Sequence, residues 1–192
     1  KITDTNRIDK IIPTINFLLS KKAKIIIISH VGRPKGKFKS ELSLQPIRDN
    51  LSSQVNENVK LEKANIFNLK KDELFKSADE KLIILENIRF YPEEENNNEK
   101  FSEHLAKLGD IYVNDAFSCS HREHASVTSI TKFIPSYSGL QINSEVEALK
   151  KITTEIKKPI TCIIGGSKIS TKIEIIKNLI PKFDNIVIVG AM

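Results

Sequence analysis

The sequence has no tryptophan, one methionine and only two cysteines. Cys119 and Cys162 stand far apart and outside any C-x-x-C pattern, so there is no disulfide framework and reduced thiols are expected. Aromatics amount to 6% and lie mostly inside apolar runs. That argues against a nucleic-acid groove, where exposed rings interleave with basic residues and stack on bases. No apolar stretch approaches the roughly 18 residues needed to span a bilayer. No charged-then-apolar leader with a small-residue cleavage site opens the chain. A cytoplasmic protein without membrane or nucleic-acid partners is the expectation. Acidic residues number 24 against 30 basic, a net charge of +6. The excess is lysine scattered through a chain rich in isoleucine and asparagine, which is a compositional bias rather than a patch. With 192 residues, 40% of them hydrophobic, the chain is long enough for one domain and part of a second.

Apolar runs alternate with helical periodicity along that length. Ile8, Ile11, Ile12, Ile15, Leu18 and Leu19 predict a helix behind Thr5 and Asp4, with Pro13 tolerated near its first turn. Ile25–Ile28 reads as a strand buried on both faces, as in a parallel sheet covered by helices. A helix follows through Leu44, Ile47, Leu51 and Val55, then a short connector at Leu61–Ala64 and another helix from Leu69 to Lys76. Leu82–Leu85 is a strand, Phe101–Leu108 a helix stopped by Gly109, and Ile111–Val113 a strand. From Asn143 the character changes. Glu145–Ile152 is an amphipathic helix, Pro159–Ile164 a strand, Ile173–Leu179 a helix and Ile186–Met192 a strand. The expected fold is α/β: an open parallel sheet with helices on both faces, a Rossmann-like three-layer arrangement, plus the beginning of a second α/β domain. The final strand-helix-strand unit cannot cover its own faces, and there is no initiating methionine, so a chain shortened at both ends is expected.

Three apolar runs end in segments carrying arginine or histidine. These are Ser29-His30-Val31-Gly32-Arg33-Pro34, Glu86-Asn87-Ile88-Arg89-Phe90, and Asn114-Asp115-Ala116-Phe117 leading to His121-Arg122-Glu123-His124. Ligands of open parallel sheets bind beyond the carboxyl ends of the strands. If these strands are neighbours, their cationic groups converge on one surface suited to an anion, most naturally a small phosphorylated molecule. Gly32 lets backbone approach a ligand, Pro34 stiffens the turn, and the Arg33 fork matches phosphate or carboxylate. Taken singly, Arg33 is better read as a solvated turn residue, and Arg89 as a helix cap or the partner of Glu86. His121 and His124 lie three apart, but a zinc site needs three or four ligands, so no metal is expected. Gly165-Gly166-Ser167-Lys168-Ile169-Ser170-Thr171-Lys172 follows a strand and opens a helix. Its glycines expose N–H groups where a helix dipole favours phosphate, and Lys168 and Lys172 share a face. It matches neither the G-x-x-x-x-G-K-[ST] nor the G-x-G-x-x-G pattern, and an ordinary glycine-rich turn with two solvated lysines is as good a reading.

Together, and in this order, Ile2-Thr3-Asp4-Thr5-Asn6-Arg7-Ile8, Ser29–Gly36, Leu85–Phe90, Val113–Phe117 with His121-Arg122, and Gly165–Lys168 with Lys172 resemble the phosphoglycerate kinases from the first residue to the last. The resemblance implies a two-domain, monomeric glycolytic enzyme that transfers a phosphoryl group between 1,3-bisphosphoglycerate and Mg-ADP, giving 3-phosphoglycerate and Mg-ATP. It implies that Arg7, His30, Gly32, Arg33, Arg89, His121 and Arg122 line the substrate patch, with Arg7 also facing the transferring group. Lys168 would meet that group from the other side, and Lys172, Gly165 and Gly166 would hold nucleotide phosphate.

On this resemblance, residues 1–143 are the substrate domain without its first strand. Residues 144–192 are an interdomain helix and the first strand-helix-strand of the nucleotide domain. The family's Asp-x-Asn strand segment, its acidic Mg-nucleotide ligands and its later glycine-rich loop have no counterpart in this sequence. The isolated chain is therefore expected not to turn over. Ser118-Cys119-Ser120 replaces glycine and other small residues of the family pattern, and Gln141-Ile142-Asn143 a more apolar-acidic stretch. A non-catalytic phosphate-binding α/β module is the alternative.

Overall fold

In the computed structural model the structure describes residues 2, 4–166 and 173–190. The chain divides into two compact units, 1–143 and 144–192.

The first unit opens with α1 (Asn6–Asp9) and α2 (Ile12–Ser20). The expected single helix is broken at Lys10 and Ile11. Pro13 has no N–H to donate to a carbonyl of the preceding turn, so it sits in the first turn of a new helix instead of continuing the old one. Asp4 Oδ1 accepts from the Asn6 N–H at 2.9 Å, which satisfies one donor at the start of α1. Next come β1 (Ile25–Ile27), α3 (Gln45–Gln54), β2 (Val59–Glu62), α4 (Lys71–Leu74) and β3 (Leu82–Leu85). The unit ends with α5 (Pro92–Glu95), α6 (Glu99–Ala106), β4 (Tyr112–Asn114), β5 (Ser136–Ser138) and the start of α7 (Leu140–Thr153).

The strands β1, β3 and β2 form one parallel sheet in that spatial order, with Ile26 opposite Ile83 and Leu61 opposite Ile84. Side chains alternate across β3, so its four residues feed two cores. Ile83 and Leu85 join Phe101 and Leu105 of α6 on one face. Leu82 and Ile84 join Ile8, Ile15 and Leu51 from α1, α2 and α3 on the other. That is the expected α/β layering.

Burial on both faces holds for β3, whose residues are all buried, but Ile25–Ile27 are only half-buried. β1 lies at an edge of its sheet and has a strand on one side only. Nor is β4 a ladder neighbour of β1 or β3. Its backbone bonds go to the segment around β5, Tyr112 N–H to Pro135 O at 2.9 Å and Gly139 N–H to Asn114 O at 2.7 Å. Tyr112 still packs against the α6-side core, together with Ile26 and Ile28. The connector expected at Leu61–Ala64 is in part a strand, β2, and the helix expected from Leu69 to Lys76 is the four-residue α4.

In the second unit, β6 (Thr161–Gly165) and β7 (Asn185–Val189) pair in parallel around α8 (Ile173–Leu179). No described helix is long and apolar enough to cross a membrane.

Phe101 is the largest fully buried side chain and stacks on Tyr91 with ring centroids 5.4 Å apart. Phe101→Ala is expected to cost about 3–5 kcal/mol, because the ring cluster cannot collapse into the void. Urea unfolding of both proteins reads this directly. A loss below about 1 kcal/mol would show that the α6-side core is not packed as described.

Candidate anion-binding site

Two loops leave the carboxyl ends of β1 and β3 and are stitched together by Asn87, which is wholly buried. Its side-chain amide donates to Val31 O at 2.8 Å and to Leu42 O at 3.0 Å. Its carbonyl oxygen accepts from Arg89 N–H at 3.1 Å, and Ile88 N–H donates to Ser29 O at 3.1 Å. Beside it, the Glu86 carboxylate accepts from Leu44 N–H and Ser43 Oγ, both at 2.7 Å, and from Asn87 N–H at 3.0 Å. Glu86 is thus fully engaged in holding loops, which overturns its reading as the partner of Arg89.

The residue so positioned, Arg89, is 3% exposed. Its Nη1 donates to Gly32 O at 3.2 Å, which adds a further tie to the loop after β1. Gly32 has φ +68°, a region that side chains rarely adopt, and a Cβ there would stand 2.8 Å from Leu42 Cδ2. Nε and Nη2 of Arg89 are buried without a hydrogen-bond partner. Those two atoms form the side-on fork that grips a carboxylate or phosphate through two parallel bonds. The nearest acid, Glu95, has Oε1 3.7 Å from Nε, an ion pair too long for a hydrogen bond.

A third segment enters from β4. Arg122 is partly buried, and its Nε likewise lacks a partner. Its backbone is set by the turn after β4, with Arg122 N–H bonded to Cys119 O at 2.9 Å. The neighbouring turn is held by buried Glu94, which accepts from Ser126 N–H at 2.9 Å and Ser126 Oγ at 2.7 Å. His124 Nδ1 lies 3.6 Å from the same carboxylate.

His30 reports how these pieces meet. Burial, followed by the positive charges of Arg89, Arg122, His124 and Arg7, lowers its pKa to about 4. Arg7, at the start of the chain, therefore belongs to the same field as the three strand-end segments. His124 is also lowered, by burial first and then by Arg89 and Arg122, with Glu94 and Glu95 opposing. Both rings are neutral near pH 7, where they offer hydrogen bonds without adding charge.

The structure thus brings Arg7, His30, Gly32, Arg89 and Arg122 together. Arg33 and His121 are exposed, and neither figures among the charges that act on His30. His124, Asn87, Glu86, Glu94 and Glu95 were not singled out as site residues by the sequence. Asn87 could have been found, since an asparagine just past a four-residue apolar strand is a natural loop tie. The carboxylates carried no comparable signal. Among the described residues no group of three or more His, Cys, Asp or Glu is placed to hold a metal.

In the second unit, Gly165 packs so closely on β7 that a Cβ would stand 2.9 Å from Val189 Cγ2, and Gly166 has φ +134°. Lys168 and Lys172 lie outside the described residues.

A family model described as phosphoglycerate kinase matches residues 1–192. The chain belongs to the phosphoglycerate kinase family. It is 42% identical to a phosphoglycerate kinase of Finegoldia magna and 47% identical to one of Wolbachia pipientis wMel. Each match covers 100% of this chain and 49% or 48% of the relative. Among solved structures, phosphoglycerate kinase from Coxiella burnetii superposes with a TM-score of 0.84 at 36% identity, covering 99% of this chain and 48% of that one. The enzyme from Pyrococcus horikoshii gives 0.85 at 27% identity, covering 99% and 49%. The chain spans about half the length of these phosphoglycerate kinases.

The lowered His30 pKa carries a sign. The unfolded chain takes up the His30 proton near 6.5, the folded one only near 4. Between those values the unfolded state binds more protons, so acidification costs stability through this group. NMR titration should show a His30 ring half-protonated near pH 4. Arg89→Met should raise that value, since one of the charges opposing protonation is gone. A ring that titrates near 6.5 in the unaltered protein would show that the cations do not converge on it.

Proposed function

We propose that residues 1–143 are the substrate-binding half of a cytoplasmic, monomeric phosphoglycerate kinase of glycolysis. The parent enzyme passes a phosphoryl group between the carboxyl end of 1,3-bisphosphoglycerate and Mg-ADP, yielding 3-phosphoglycerate and Mg-ATP. One observation carries this reading: a guanidinium almost completely buried, with the side-on fork of Arg89 unpartnered. An uncompensated buried charge is costly, and an incoming oxyanion with two oxygens relieves it.

The remaining residues fit around that fork. Arg122 offers a second unpartnered Nε, and the neutral His30 ring a hydrogen bond. Gly32 presents close backbone, while exposed Arg33 and His121 can reach the ligand from the rim. Arg7 bears on the same cluster and is the group suited to the phosphoryl in transfer. Phosphoryl transfer asks the protein mainly for positioning and charge stabilisation. Cations fixed at strand ends do the first. Arg7 and Lys168 would do the second, Lys168 and Lys172 meeting the nucleotide phosphates beside Gly165 and Gly166. Mg2+ enters as part of the nucleotide substrate.

Titration calorimetry of 3-phosphoglycerate into the 192-residue chain tests the substrate half. Binding is expected, and Arg122→Ala should weaken it about ten- to a hundredfold, the loss of a charge-assisted hydrogen bond. Unchanged affinity would remove Arg122 from the site.

A further inference from the structure

Among the described residues, one acid lies within ion-pair range of the open fork of Arg89. Glu95 closes the four-residue α5, with its side chain 38% exposed. Its Oε1 stands 3.7 Å from Arg89 Nε, close enough to pair electrostatically but outside hydrogen-bond range. Glu95 also acts on His124, so its charge falls inside the cationic cluster. Arg89 does not need it for position. The guanidinium is pinned by Gly32 O, its backbone by Asn87, and it is buried on all sides. Glu94 beside it is committed, accepting from the N–H and Oγ of Ser126, whereas among the described residues the Glu95 carboxylate makes this loose pair and no hydrogen bond.

We propose that Glu95 is a built-in counter-ion that competes with the substrate's anionic group for the side-on fork of Arg89, and so sets the affinity of the site. Without ligand, the carboxylate offsets part of the buried charge from a distance. When a phosphate or carboxylate seats on Nε and Nη2, Glu95 withdraws into solvent, and its loss from the pair is subtracted from the binding free energy. Being half-exposed, the pair is weak enough to be displaced. The inference rests on the anion-site reading above and specifies how that site is regulated.

The test is calorimetry at low ionic strength with 3-phosphoglycerate and, separately, inorganic phosphate. The proteins are the unaltered chain, Glu95→Gln and Glu93→Gln, the last removing a neighbouring charge that has no pair with Arg89. Glu95→Gln should tighten both ligands about two- to fivefold, the scale of one partly exposed ion pair. Its melting temperature should stay near that of the parent. Glu93→Gln should change affinity by less than half as much. A gain in affinity is not what structural damage produces, so equal or weaker binding by Glu95→Gln overturns the proposal while leaving the anion site intact. Equal gains from the two variants overturn it too, because the effect would then be general charge. If neither ligand binds the unaltered chain or Glu95→Gln, the anion-site reading and this proposal fall together.

Discussion

Arg89 sets the problem that the surrounding structure solves. A guanidinium with almost no exposure needs hydrogen-bond acceptors, and only Nη1 has one, the Gly32 carbonyl. Leaving Nε and Nη2 bare is expensive in a folded protein. It is tolerated where other contacts fix the residue and where a ligand completes the pairing. Here the fixing is done by Asn87, Glu86 and the all-buried β3, whose residues feed both cores at once. The costly feature is mounted just past the most fully buried strand of the unit.

The same logic reaches outward through neutral and acidic groups. His30 stays uncharged because burial and the charges of Arg89, Arg122 and Arg7 oppose its protonation, so the cluster does not add to its own repulsion. Glu94 spends its charge on Ser126 and steadies the turn that carries His124, while Arg122 is set by its bond to Cys119. Asp115 does comparable work at another strand end. It accepts from Thr14 Oγ1 at 2.5 Å and from the N–H groups of Gln141 and Ile142, fixing the first turn of α7. Loops after β1, β3 and β4 are thus each tied by a short polar side chain to a segment distant in sequence.

The layering and the main helices were legible because isoleucine and leucine recur at unambiguous spacing, most clearly at Leu82–Leu85 and through Leu44–Val55. β2 was hidden because Val59-Lys60-Leu61-Glu62 is short and half-charged, and β5 because Ser136-Tyr137-Ser138 carries one large residue between two serines. Both lie at sheet edges, where burial imposes less pattern. The separation of β4 from the three-stranded sheet depends on which backbone groups find partners, and side-chain chemistry does not encode that directly. Of the site, the cations could be read from the strand ends. Asn87 had a signal too, in its place just past an apolar strand, but the carboxylates that hold the cations had none, since a buried glutamate and an exposed one look alike in sequence.

The account stands on the claim that the Arg89 charge is a stability burden until an anion arrives. Thermal melting of the unaltered chain and of Arg89→Met, each with and without saturating 3-phosphoglycerate, measures that most directly. Without ligand, Arg89→Met should melt at or above the unaltered protein, because a buried charge that Glu95 offsets only in part is replaced by an apolar chain of similar length. With ligand at about a hundred times its dissociation constant, only the unaltered protein should gain, by roughly 2.7 kcal/mol. An Arg89→Met protein that melts well below its parent, with ligand raising both alike, would contradict the account.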